Sequence, residues 1–157
     1  MGISELLNPE AVLLQVEAED AADIITKLGG ILSQLGYVHD DFVEATLARE
    51  ASMPTGLPLS GAVNAAIPHV DLNFVKRPAV ALATLKRPVI FHNMVDVEAD
   101  VPVQLVIMLA LDQPKSQIET LQQVAGILQK PEVVERLMAA TRVEEILTIL
   151  EGLALPA

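Results

Sequence analysis

Ala65-Ala66-Ile67-Pro68-His69 runs a small apolar strand into a proline and then places one imidazole where the strand stops. Proline fixes its own φ and carries no N–H, so the ladder ends there and the next side chain is presented at a rigid strand end. The chain has no cysteine, and little else nucleophilic lies near His69. Chemistry at this point would be done by the imidazole itself. Upstream, Arg49-Glu50-Ala51-Ser52-Met53-Pro54-Thr55-Gly56 supplies a guanidinium, hydroxyls and a tight turn. A cation and neutral donors beside a ring nitrogen are the parts a phosphoryl group needs.

Residue types alone leave other roles open. A histidine after Ile-Pro also serves as an ordinary loop residue. Arg49 closes a helical pattern, where a cation faces the negative end of the macrodipole. Thr55 sits among turn-forming residues. Of the other two histidines, His39 precedes Asp40-Asp41 at a helix start and His92 follows Phe91 at a strand end. His69, Asp71 and His92 lack the close histidine pair of a metal site, so no metal is expected. Glycine-rich dinucleotide and phosphate loops are absent, as is the Gly-x-Ser-x-Gly elbow of acyl transfer. Basic residues do not cluster with aromatics, which argues against nucleic acid as a partner.

Around these residues the chain alternates strands and helices. Ala11 to Val16 reads as a first strand. Asp20 opens a helix whose apolar face is Ala21, Ile24, Ile25, Leu28, Ile31, Leu32 and Leu35, interrupted by Gly29-Gly30 and stopped by Gly36. A second helix starts at Asp40-Asp41, with Glu44 in capping-box register to Asp41, and runs to about Arg49. Pro54, Gly56, Pro58 and Gly61 mark a loop into the strand that ends at His69. Ala79 to Leu85 reads as a strand covered on both faces, Lys86-Arg87-Pro88 as a turn, and Val89 to Phe91 as a strand pairing back. Asp96 to Asp100 is a loop and Val103 to Leu111 the central strand. Helices follow over Ser116 to Leu128, Glu132 to Ala140 and Val143 to Leu150, the second opened by Pro131 at its first position. The expected fold is α/β: a single domain over residues 1–157, with a mixed central sheet of about five strands flanked by helices on both faces.

Composition bounds the setting. A chain of 157 residues buries roughly 70% of the surface its unfolded form exposes. With 52% hydrophobic but only 3% aromatic residues, the core must be Leu, Ile, Val and Ala. The apolar run Leu105 to Leu111 is too short to span a bilayer, and residues 1–5 lack the marks of a signal peptide. The expectation is a soluble, cytoplasmic protein. Its 21 acidic against 10 basic residues give a formal charge of −11. That charge repels phosphate backbones and favours basic protein partners within a Debye length of about 10 Å.

Arg49-Glu50-Ala51, Pro54-Thr55-Gly56-Leu57 and Ala66-Ile67-Pro68-His69 together resemble the enzyme IIA domains of the fructose–mannitol class (type 2) of the bacterial sugar phosphotransferase system. The likeness extends over nearly the whole chain. Arg77 to Ala81, Arg87 to Phe91 and Val106 to Leu111 resemble the galactitol-type branch. The resemblance implies a phosphotransferase: a histidine phosphocarrier, His69 by motif position, that takes a phosphoryl group from HPr and passes it to a cysteine of a IIB subunit. A membrane IIC partner is implied indirectly, the cargo being a galactitol-like polyol. Arg49 matches the family's arginine near the active histidine. Mannitol- and nitrogen-type members carry a second histidine where this chain has Lys115-Ser116-Gln117-Ile118, so Gln117 stands in that place. Arg49, Thr55 and Gln117 are thus the expected phosphoryl-stabilising residues. No cofactor is implied, because donor and acceptor are both protein side chains. A nitrogen-type regulatory protein, whose phosphorylation state controls protein partners, is the alternative.

Overall fold

A computed structural model describes residues 2–153. A short helix α1 (Ile3–Leu6) leads directly into β1 (Leu7–Val16). Then come α2 (Ala21–Gln34) and α3 (Phe42–Ser52), the short strands β2 (Gly56–Leu57) and β3 (Asn64–Ala66), and a 3₁₀ turn over Leu72–Phe74. The long strands β4 (Ala79–His92) and β5 (Asp100–Ala110) precede α4 (Pro114–Leu128), α5 (Pro131–Ala139) and α6 (Val143–Leu153). The sheet order is β1-β4-β5-β3-β2. β1 and β4 run parallel, as do β3 and β5, whereas β4–β5 and β2–β3 are antiparallel. This is the mixed five-stranded α/β architecture expected from the alternation of elements.

Both faces of the sheet are covered. Val80, Leu82, Leu105, Ile107 and Leu109 pack with α1, α4, α5 and α6. Ala79, Ala81, Ala83, Val106 and Met108 pack with α2 and α3. The strands feed side chains alternately into the two cores, which is why β4 and β5 read as nearly continuous apolar runs.

Local signals set the helix ends. The Asp20 side chain accepts from the Asp23 N–H at 2.8 Å, capping α2. Its other end closes in a Schellman motif: Tyr37 N–H donates to the Leu32 carbonyl at 3.0 Å and Gly36 N–H to the Ser33 carbonyl at 3.1 Å. Gly36 takes φ +84°, which glycine alone adopts without strain. Gly29-Gly30 does not break α2; a Cβ on Gly29 would stand 2.7 Å from Val43 Cγ2, so this glycine lets α3 approach. Asp41 precedes α3 but makes no side-chain cap, contrary to the capping-box expectation.

Three other expectations change. Residues 79–85 and 89–91 are one strand, not two: β5 pairs with both halves, Thr84 with Leu105 and Val89 with Val103. Residues 85–88 therefore bulge opposite Gln104 alone, whose Nε2 donates to the Leu85 carbonyl at 3.3 Å. The fifth strand is instead β2, whose two residues are too few to show an alternation. Finally, β1 begins at Leu7, four residues earlier than expected, because an edge strand tolerates Pro9.

Candidate active site

β3 delivers His69 to the end of the sheet. Ladder contact persists just past the strand, with Leu109 N–H donating to the Pro68 carbonyl at 3.0 Å and His69 bridging Leu109 of β5. The ring is half-buried. Its Nδ1 lies 2.8 Å from the carbonyl oxygen of Ile67. A carbonyl can only accept, so in the neutral ring Nδ1 carries the proton and Nε2 carries the lone pair. Sequence reasoning could not name this partner, since a backbone carbonyl leaves no trace in residue types.

Burial pushes the His69 pKa below its ordinary value of 6.5; the Ile67 bond partly offsets this, and the positive charge of Arg49 lowers it further. Neutral imidazole, the nucleophilic form, is thereby favoured near pH 7.

Arg49 reaches this neighbourhood from the last turn of α3. Its Nη1 donates to Asp71 Oδ1 at 3.1 Å, and Asp71 lies two residues beyond His69. Its Nε is buried with no partner. A guanidinium near enough to lower the His69 pKa and with an unspent donor has capacity for an anion. Asp71 went unrecognised in the sequence except as a remote metal-ligand candidate; its visible signal is only its nearness to His69.

Gln117 lies in the first turn of α4. Its Nε2 approaches the Val70 carbonyl at 3.5 Å, the outer limit of a hydrogen bond, so the amide reaches the residue that follows His69 and retains another N–H. Thr55 is placed differently. It is buried, and its hydroxyl and backbone N–H both donate to the Glu50 carboxylate, at 2.8 and 2.7 Å. The Thr55 hydroxyl proton is thus already engaged.

The other candidates disperse. His92 is exposed and its Nδ1 faces the Val97 carbonyl at 3.0 Å. Val70, directly after His69, belongs to the core on the α2 and α3 side of the sheet. Leu59 and Val63 line a cavity of about 260 Å³ against Leu128, Pro131, Val134 and Met138. Among the described residues no three His, Asp or Glu side chains gather as metal ligands.

A mixed sheet that offers a half-buried imidazole with a free Nε2, next to an arginine, defines a protein built to handle an anionic group. The chain belongs to the IIA family of the phosphoenolpyruvate-dependent sugar phosphotransferase system, EIIA 2, whose model matches residues 5–152. Its relatives include the galactitol-specific EIIA component of Escherichia coli (strain K12), 35% identical over 131 residues, covering 82% of this chain and 86% of that one. Two solved structures share the fold at 28% identity. The mannitol enzyme IIA of Escherichia coli, in complex with phosphorylated enzyme IIB, gives a TM-score of 0.76 and covers 93% of this chain and 97% of that one. The nitrogen regulatory protein IIA-Ntr of Neisseria meningitidis gives 0.77, with 94% and 98% covered. This chain is accordingly a phosphotransferase-system IIA phosphocarrier, and no helix among the described residues is long and apolar enough to cross a membrane.

Proposed function

We propose that His69 accepts a phosphoryl group from phosphohistidine on HPr and passes it to a cysteine of a IIB subunit during uptake of a galactitol-like polyol. The observation that carries this reading is the 2.8 Å contact between His69 Nδ1 and the Ile67 carbonyl, which leaves Nε2 as the free nucleophile. In the first transfer the Nε2 lone pair forms the new N–P bond while the donor's N–P bond breaks and its electron pair returns to the donor ring. His69 keeps its Nδ1 proton and becomes cationic, so its bond to the Ile67 carbonyl strengthens by charge assistance. The second transfer reverses this: a cysteine thiolate attacks phosphorus and the pair returns to Nε2.

Such transfers pass through a loose transition state with charge spread over the phosphoryl oxygens. Protein groups therefore contribute mainly position and charge. Arg49 is assigned to those oxygens: its Nη1 reaches Asp71, two residues beyond His69, and its Nε has no partner. Gln117 is a neutral donor. Thr55 acts from behind the site, its hydroxyl held by Glu50. Likeness to the galactitol-specific component supports the transport role, and the mannitol IIA–IIB complex supports a IIB partner docking over His69. Work with HPr and a IIB subunit would take place in the cytoplasm.

Incubation with enzyme I, HPr and labelled phosphoenolpyruvate tests the assignment. Label should appear on wild type, vanish in His69→Ala, and move to a cognate IIB; label retained by His69→Ala overturns it. The structural likeness to the nitrogen regulatory protein favours a second, regulatory reading, which gains if the label never passes to any IIB encoded alongside.

A further inference from the structure

Two consecutive residues of α3 hold the chain on either side of His69. Arg49 grips Asp71, two residues after it. Glu50 grips the other flank through a chain of hydrogen bonds. Its carboxylate accepts from the Thr55 N–H at 2.7 Å and from the Thr55 hydroxyl at 2.8 Å. The Thr55 carbonyl then accepts from the Ile67 N–H at 3.3 Å. The Ile67 carbonyl, on the next peptide, accepts from His69 Nδ1 at 2.8 Å.

We propose that Glu50 is a positioning residue for phosphoryl transfer: through Thr55 and Ile67 it fixes the place of the carbonyl that sets the tautomer and aim of the His69 ring. The proposal rests on His69 being the reacting group. Three observations converge on it. Both hydrogen bonds run into the carboxylate, so the ionised form fits the site, although burial acts against that form by raising the Glu50 pKa. Among the described residues no lysine or arginine pairs with Glu50, since Arg49 spends its ion pair on Asp71, and the charge of His92 lowers its pKa less than burial raises it. A partly desolvated carboxylate without an ion pair is a liability for stability, which its work on Thr55 explains. Lastly, β5 pairs with β3 on one side as far as His69, but on the other side the ladder beside Ile67 is very short: β2 and β3 pair only at Gly56–Ala66 and Leu57–Ala65. The Thr55–Ile67 bond extends this ladder by one step, and Glu50 anchors that step to a rigid helix.

The step matters for precision, because a misplacement of about 1 Å can lower a rate by about a hundredfold. Glu50→Gln keeps size and shape but offers one of the two Thr55 donors an NH₂ instead of an oxygen.

The test compares wild type, Glu50→Gln and Thr55→Val by ¹⁵N NMR of the His69 ring and by the rate of phosphorylation from phospho-HPr. Wild type should show the Nδ1–H tautomer. Glu50→Gln should gain the Nε2–H tautomer and transfer about tenfold more slowly, while still reaching full phosphorylation of His69. Thr55→Val, which removes only the hydroxyl branch, should show the same tautomer change in smaller measure. If Glu50→Gln fails to fold, Thr55→Val decides alone. An unaltered ring tautomer, with transfer within twofold of wild type, overturns the proposal. So does a loss of thermal stability that leaves the tautomer unchanged, since that marks a purely structural residue. Absence of phosphorylation in wild type would instead strike the phosphocarrier reading, and the tautomer comparison would still decide the place of Glu50.

Discussion

Arg49 Nη1 and Asp71 Oδ1 meet at 3.1 Å, joining the end of α3 to the loop that follows His69. The pair leaves Arg49 Nε buried and unpartnered and keeps the guanidinium beside the imidazole, where its charge lowers the ring's pKa. Replacing Arg49 therefore has two separable effects. Arg49→Ala should slow phosphoryl transfer by about 10² to 10³, the range seen when one preorganised donor is removed. It should also raise the His69 pKa, read by NMR titration. Arg49→Lys keeps the charge but not the planar fork, so its pKa should stay near that of wild type while the rate still falls. A pKa unmoved in Arg49→Ala would separate the two residues electrostatically.

The depressed His69 pKa fixes a pH dependence. Phosphorylation from phospho-HPr should be flat around pH 7 and fall only below the ordinary histidine value of 6.5, as the folded ring begins to protonate. Stability follows the same sign. Between 6.5 and the lower folded value the unfolded chain binds more protons, so stability falls as pH drops through that window and is whole above it. Urea midpoints of wild type and His69→Gln, compared from pH 7.5 to 5, should diverge in that direction; a gap constant with pH would contradict it.

Glu50 works oppositely. Burial raises its folded pKa above the ordinary 4.5, so the folded chain binds more protons between those values and ionisation costs stability as pH rises through the window. The stability difference between wild type and Glu50→Gln should therefore shift in favour of Gln as pH rises from 4.5, which urea titrations at several pH values would detect.

The role proposed for Gln117 is that of a donor that adds little to the fold. Its contact with Val70 is 3.5 Å long and carries little energy. Gln117→Ala should lower the transfer rate by about threefold to tenfold and leave the melting temperature within a degree or so, since ΔΔG at such a surface site stays within about 0.5 kcal/mol.

The neighbouring glycines of α2 should respond with opposite signs. A Cβ at Gly30 meets nothing within 4 Å, so Gly30→Ala should stabilise by up to about 1 kcal/mol through helix propensity. A Cβ at Gly29 meets the stiff Val43 side chain at 2.7 Å. Overpacking there costs about 1 to 3 kcal/mol, so Gly29→Ala should destabilise despite the same propensity gain. Equal urea midpoints for the two variants would refute the close approach of α2 and α3.

Local chemistry made much of this molecule legible in advance. The cap at Asp20, the left-handed stop at Gly36, Pro131 at the head of α5 and the proline before His69 all act within a few residues, so their types and spacing suffice. The two-sided burial of β4 and β5 was equally plain from unbroken runs of Ala, Val, Leu and Ile. What the residue pattern left undetermined depends on partners far along the chain. Lys86-Arg87-Pro88 has turn composition, yet β5 pairs across it and turns it into a bulge, because the hydrogen bonds on both sides outweigh the local preference. Thr55 has the composition of a donor, yet Glu50 already accepts its hydrogen bond. Asp71 and Glu50 take their parts from Arg49 and Thr55, and the ring of His69 from the carbonyl of Ile67. Such bonds are chosen by which backbone and side-chain groups the sheet order brings within 3 Å, and no periodicity of residue types encodes that choice.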